Sequence, residues 1–240
     1  MNLIEVRQQF RLMSGRYDLV SALGADTGAN FYINEGSRYL DRQNETQKSW
    51  GICYRFCDIG HQGVQFQSCR AIKEVWASTI LARRQLEKMN LQDLISIYMS
   101  ELPSSRTTGI PLYYSPAITR YIPENAVLAD LESWVGFVDV ITGSQHEYNS
   151  ILLSSPPSEK ISIEIKGLFY SIALVGDTDE NYWSAVHPML LIMATMRQVE
   201  VANRNTQGVN DWDNAINKDI TQIGMDLVEE ISAEVSEMEG

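Results

Sequence analysis

Cys53, Cys57, His61 and Cys69 are the residues whose types could hold a metal, since thiolate and imidazole are the ligands of structural zinc. Their spacing is C-x3-C-x3-H-x7-C. A tetrahedral site needs four ligands converging on one point, usually from tight C-x2-C knuckles. Cys53 and Cys57 fall instead in a stretch of period two. They face the same side of a strand but lie about 13 Å apart at the usual strand rise, too far to share one ion. The three cysteines therefore read as small buried or half-buried thiols, and no metal is expected at them. The three histidines are scattered. His61 sits in a glycine turn, His146 in a polar loop, and His187 directly before Pro188, where the pair suits the first turn of a helix. No serine occupies a nucleophile elbow, and neither G-x-G-x-x-G nor G-x4-G-K-[ST] occurs. Asp177, Asp179 and Glu180 lack the spacing of a calcium loop. They read as an acidic N-terminal cap for a helix entering at Tyr182 and Trp183, where the helix dipole favours negative charge. The expectation is no catalytic set, no cofactor and no metal, hence not an enzyme. A ligand-binding or hydrolytic α+β domain, its site assembled from distant residues, is the rival class.

The elements that would position such residues follow from hydrophobic period. Val209, Trp212, Ile216, Ile220, Ile223, Leu227, Ile231, Val235 and Met238 recur at steps of three and four, the spacing of one long helix. A second helical segment covers 188–203, joined to the first by the turn 204–208. Near the start, Leu3, Val6, Phe10 and Met13 form one stripe, ended by Ser14-Gly15. A further helix begins near Asp26 or Thr27 and carries Ile33, Gly36 and Leu40 to about Arg42. From Trp50 the period becomes two: Trp50, Ile52, Tyr54 and Phe56 alternate with Gly51, Cys53, Arg55 and Cys57, the pattern of a half-buried strand. Further strands are expected at 64–69, 71–78, 134–141, 150–153 and 160–170, and a short helix capped by Asn90 at 91–99. The prolines of 102–123 make that stretch irregular or edge strand. Of the five tryptophans, four fall where a strand or helix face would be buried, and core packing is their ordinary role.

These readings give an α+β protein: a helical bundle from both chain ends with an inserted β-rich, sandwich- or barrel-like domain. The expected domains are 1–45 (helical core, first part), 46–177 (inserted β domain) and 178–240 (helical core, second part, with a C-terminal docking tail). The chain has 240 residues, 44% of them hydrophobic, enough for a real core. Met189 to Met196, the longest nearly uncharged apolar run, is too short to span a bilayer. The first residues lack the basic start and apolar block of a signal peptide, so synthesis in a reducing cytoplasm is expected. The formal net charge of -12 argues against electrostatic capture of nucleic acid. From Asp226 onward there are six acids and no base. That end is either a solvated helix face or a segment that docks on a partner.

Two stretches carry a resemblance. One is Ser14-Gly15-Arg16-Tyr17-Asp18-Leu19-Val20 with Asn30 to Arg42. The other is Tyr182-Trp183-Ser184-Ala185-Val186-His187-Pro188, the helix reaching Glu200, then Asn203 to Val209 and Asp211-Trp212. Together they resemble the head-to-tail adaptor (connector) proteins of tailed bacteriophages. The strand-rich middle departs from the all-helical members and looks like an inserted β domain. The resemblance implies a virion structural protein of the neck, made in the host cytoplasm. It implies a homo-oligomeric ring, commonly of twelve copies, beneath the portal protein. The ring would extend the channel through which DNA passes without specific binding, and would give tail or neck proteins a docking face. No membrane is involved. On this reading Asp226, Leu227, Val228, Glu229, Glu230, Ile231 and Glu234 are the candidate portal-docking residues. Arg16, Tyr17 and Trp212 are candidate contacts with a ring neighbour. Another neck, tail-completion or collar protein is the alternative within the same class.

Overall fold

A computed structural model of the chain describes residues 1–43, 50–98, 106–117 and 150–236, with side chains described up to Met225. The strand expected at 134–141 and part of the proline-containing stretch lie outside the described residues. Among those described, the helices are α1 (Leu3–Ser14), α2 (Ala29–Gln43), α3 (Leu91–Tyr98), α4 (Tyr182–Val186), α5 (Pro188–Ala202) and α6 (Thr206–Ser236). The strands are β1 (Trp50–Cys57), β2 (Gly63–Gln65), β3 (Cys69–Ser78), β4 (Arg83–Lys88), β5 (Tyr113–Ala117), β6 (Ser150–Leu153) and β7 (Ile161–Phe169). The chain divides into two compact units, one of Met1–Ser49 with Tyr170–Gly240, the other of Trp50–Phe169.

In the helical unit the local signals act as chemistry dictates. Asn2 and Glu5 form a reciprocal capping box at the start of α1, each side chain accepting from the other's amide at 3.1 and 3.0 Å. Gly15 ends that helix at φ 67°, a left-handed conformation costly for any residue with a Cβ. Asp26 accepts from the amides of Gly28 and Asn30, both at 3.0 Å, and so leads into α2. Leu3, Val6, Phe10, Ile33 and Leu40 are buried, and they join Trp183, Leu190, Leu191, Ile192 and Ile216 in one core.

The α+β class holds, but the helices do not form the expected bundle from both chain ends. α1, α2, α4 and α6 all pack on α5. The reason lies in the sequence of α5. Leu190, Leu191 and Ile192 are consecutive and all buried, as are Ala194, Thr195 and Val199. Consecutive buried positions point in different directions about a helix axis, so α5 takes neighbours on several sides and becomes a hub. A bundle instead shares one seam among helices with one apolar face each. Irregular chain completes the packing. The amides of Leu3 and Ile4 donate to the carbonyls of Asp179 and Asp177 at 3.0 and 3.1 Å, and Asn34 clasps the Leu174 amide and carbonyl at 2.8 and 2.9 Å.

The second unit is a single seven-stranded sheet, in the order β1-β7-β3-β4-β5-β6-β2. Neighbours are antiparallel except β4 and β5, which are parallel. The end strands β1 and β2 approach each other, so the sheet is nearly closed and barrel-like. Arg55 of β1 donates to the Gln65 carbonyl of β2 at 3.2 Å across that seam. Ile161, Ile163 and Ile165 of β7 point inward and are fully buried with Val75, Leu86, Ile151 and Leu153. α3 lies against β5, its start capped by the Asn90 side chain, which accepts from the Gln92 amide at 2.9 Å.

Candidate functional site

Register decides which face of β1 meets the core. Residues directly opposite in an antiparallel pair share a face of the sheet. Trp50, Ile52, Tyr54 and Phe56 stand opposite Leu168, Lys166, Glu164 and Ser162 of β7. Gly51, Cys53, Arg55 and Cys57 stand opposite Gly167 and the buried Ile165, Ile163 and Ile161. The larger apolar set of β1 therefore points outward. Tyr54 is 61% and Phe56 70% exposed. The row spans about 20 Å of strand at the usual rise.

Beside it runs a ladder of paired charges. Arg83 meets Glu164 at 2.5 Å, and Lys166 lies 3.5 Å from Glu74 and 3.6 Å from Glu164. Trp76 is sandwiched into the ladder, with the Arg83 guanidinium 4.8 Å and the Lys166 ammonium 5.4 Å from its ring centroid. Lys160 covers Phe56 at 5.2 Å. An apolar row of this length bordered by neutralised charge is the make-up of a protein-docking surface.

A second exposed feature tops the same sheet. The β3–β4 turn is closed by the Thr79 amide donating to the Ala82 carbonyl at 2.7 Å. The Thr79 hydroxyl accepts from the amides of Leu81 and Ala82 at 3.2 and 3.0 Å. This pinned turn presents Ile80 at 98% and Leu81 at 94% exposure. Beside α3, Ile97, Tyr98, Gly109, Ile110 and Leu112 line a groove of about 370 Å³.

The residues singled out from sequence fall elsewhere. Arg16 forks onto Asp18 at 2.8 Å through both Nε and Nη2, which raises the guanidinium pKa and depresses that of the carboxyl. Tyr17 is exposed beneath the Arg11 guanidinium, 4.6 Å from its centroid. Trp212 is half-buried on α6, packed on the helical core beside Ile216. The three candidate neighbour contacts thus occupy a loop and a different helix. For Asp226, Leu227, Val228, Glu229, Glu230, Ile231 and Glu234 the helical backbone of α6 is described and the side chains are not.

Cys57 and Cys69 are buried on different strands, and Cys53 is half-buried. Burial pushes the Cys69 thiol up to about 12 and raises that of Cys53, so both stay protonated and unreactive near neutrality. The Cys57 thiol donates to the His61 carbonyl at 3.4 Å. Among the described residues no group of three or more His, Cys, Asp or Glu could hold a metal ion.

The acidic stretch before Tyr182 acts differently from the helix cap it was expected to form. Asn181 is the cap of α4, accepting from the Ser184 amide at 3.0 Å. Asp177 pairs with the buried Arg7. Asp179 accepts from the amides of Val175 and Gly176 at 2.9 and 2.8 Å, and those bonds lower its pKa.

The outward row of β1 and the Ile80-Leu81 turn were missed because alternation gives a strand's period but not its phase. Ile80-Leu81-Ala82, three aliphatics between Thr79 and the Arg83-Arg84 pair, is the one local signal of an apolar turn. No family model matches this chain, and no curated protein does.

Proposed function

We propose that the chain is a virion structural protein, a head-to-tail adaptor whose copies form a ring between portal and tail and extend the DNA channel. The outward row Trp50, Ile52, Tyr54 and Phe56 carries this reading, because so much apolar surface on one strand calls for a protein partner. The resemblance at both chain ends names the class of partner. The charge balance supports a channel along which DNA moves without sticking, since phosphate neutralisation by basic side chains is what holds DNA. The test is molar mass by light scattering across a concentration series, with electron microscopy of the most concentrated sample. Closed rings of one copy number support the reading. A monomer at every concentration up to the solubility limit overturns it.

A further inference from the structure

The geometry points to a knob-and-groove contact between copies of this chain, with the β3–β4 turn of one copy seated in the groove beside α3 of the next. The inference rests on the ring-forming reading and supplies its contact. Ile80 and Leu81 are almost wholly exposed on a turn that Thr79 holds rigid. A pre-organised apolar knob loses little freedom on docking. The groove, about 370 Å³, is lined on its apolar side by Ile97, Ile110 and Leu112, each at least a third exposed, and on its polar side by Thr107, Thr108, Ser154 and Ser155. At ~30 Å³ per water it holds about twelve water volumes, and each four-carbon side chain displaces roughly four. The volume is therefore large enough for both side chains.

A copy cannot fill its own groove. The Glu87 amide donates to the Leu112 carbonyl at 3.0 Å, so the groove lies at the far end of β4 from Leu81. Six residues of strand separate those ends by about 20 Å. Knob and groove are different surfaces, so their union is head-to-tail, the kind of contact that gives a ring when its rotation closes and an open filament when it does not. Charge agrees with this seating. Arg83 is held by Glu164, and Arg84 beside it is exposed. Asp93 is exposed one turn before Ile97, on the same face of α3. Arg84 of one copy meets Asp93 of the next at the rim. Arg106, which also lines the groove, is turned to Gln62. Two aliphatic side chains and their lining bury less than the ~1,200 Å² of a stable specific pair. One contact is therefore weak, and a closed ring, in which every copy makes two, is what holds it.

The test uses the full chain. A Leu81→Cys/Ile110→Cys double variant, oxidised at assembling concentration, is expected to give a ladder of dimer, trimer and higher species, while each single variant stops at dimer. Leu81→Glu should raise the assembly midpoint concentration at least about tenfold with no change in unfolding midpoint, because the side chain is exposed. Arg84→Glu should do the same, and adding Asp93→Arg should restore assembly. If the wild type forms rings yet no ladder appears and neither charge variant moves the midpoint, this contact is wrong and the ring reading stands. If the wild type never assembles, both fall.

Discussion

Asp41 shows how much one buried carboxylate organises. It accepts from the Ser171 amide and hydroxyl, both at 2.8 Å, and from the Trp183 indole N–H at 2.7 Å. Trp183 is 1% exposed, so its N–H has no water to turn to. Asp41→Ala should destabilise the helical unit by about 2–4 kcal/mol, the cost of orphaning buried donors. A denaturant midpoint within error of wild type would show that water fills the site. The cluster of Tyr39, Asp213 and Arg197 adds a pH signature. The Tyr39 hydroxyl and Arg197 Nε each lie 2.6 Å from Asp213 Oδ1, and the guanidinium lies 4.2 Å from the Tyr39 ring centroid. Burial, with the hydrogen bond to Asp213, pushes the Tyr39 phenol up to about 12. Partial burial of Asp213 acts the other way, yet its hydrogen bonds from Arg197 and Tyr39 hold it below the usual carboxylate range. The folded state keeps the phenol proton that an unfolded chain releases near pH 10. Its stabilisation is thus full below pH ~10 and lost as pH rises to about 12. Tyr39→Phe should lower stability at neutral pH and flatten its decline between those values. An unaltered alkaline slope in urea melts would remove this assignment.

At the scale of elements, the crossing of α2 and α5 depends on a missing side chain. A Cβ on Gly36 would stand 2.9 Å from the Thr195 amide nitrogen and 3.1 Å from the Ala194 carbonyl carbon. Both are backbone atoms and cannot swing aside. Alanine in place of a helical glycine gains about 1 kcal/mol of propensity, while overpacking costs ~1–3 kcal/mol. Gly36→Ala should therefore lower the thermal midpoint. A rise would mean that the crossing relaxes.

Gly36 was legible in the sequence as part of the Ile33-Gly36-Leu40 side of α2, and so was α6, whose stripe holds Trp212, Ile216, Ile220 and Ile223 against the core. The phase of β1 was not legible. Its alternation is as clean as that of Ile161, Ile163 and Ile165, yet one set faces in and the other out, because pairing with β7 fixed the choice and pairing is non-local. The hub role of α5 was hidden for a related reason. A helix apolar on several sides announces burial but does not name its neighbours. β4 was missed because only Leu86 in Arg83–Lys88 is buried, so the strand had no run of apolar residues to mark it.

At the scale of the whole molecule, the end of α6 is the candidate docking segment. The helix runs through Ser236, and among the residues whose side chains are described Ile220 and Ile223 are the last that pack on the helical core. Beyond Met225 the sequence carries six acids and no base, interleaved with Leu227, Val228, Ile231 and Val235. A chain ending at Met225 keeps every residue of the described core, and on the docking reading it should unfold at the wild-type midpoint. If the protein is an adaptor whose removed segment docks on a portal, the truncated protein should join tailless phage heads at least about tenfold less well, a loss of ~1.4 kcal/mol or more. Attraction between acids and basic side chains on a partner is screened, since the Debye length shrinks from about 10 Å at 0.1 M salt to 3 Å at 1 M. Joining by the full-length protein should therefore fall with added salt, while joining by the truncated protein should respond far less. Joining at full yield without the segment would make it a solvated helix face. On the adaptor reading, a portal contact would then be sought on α1 and the 14–20 loop, where Tyr17 is already exposed.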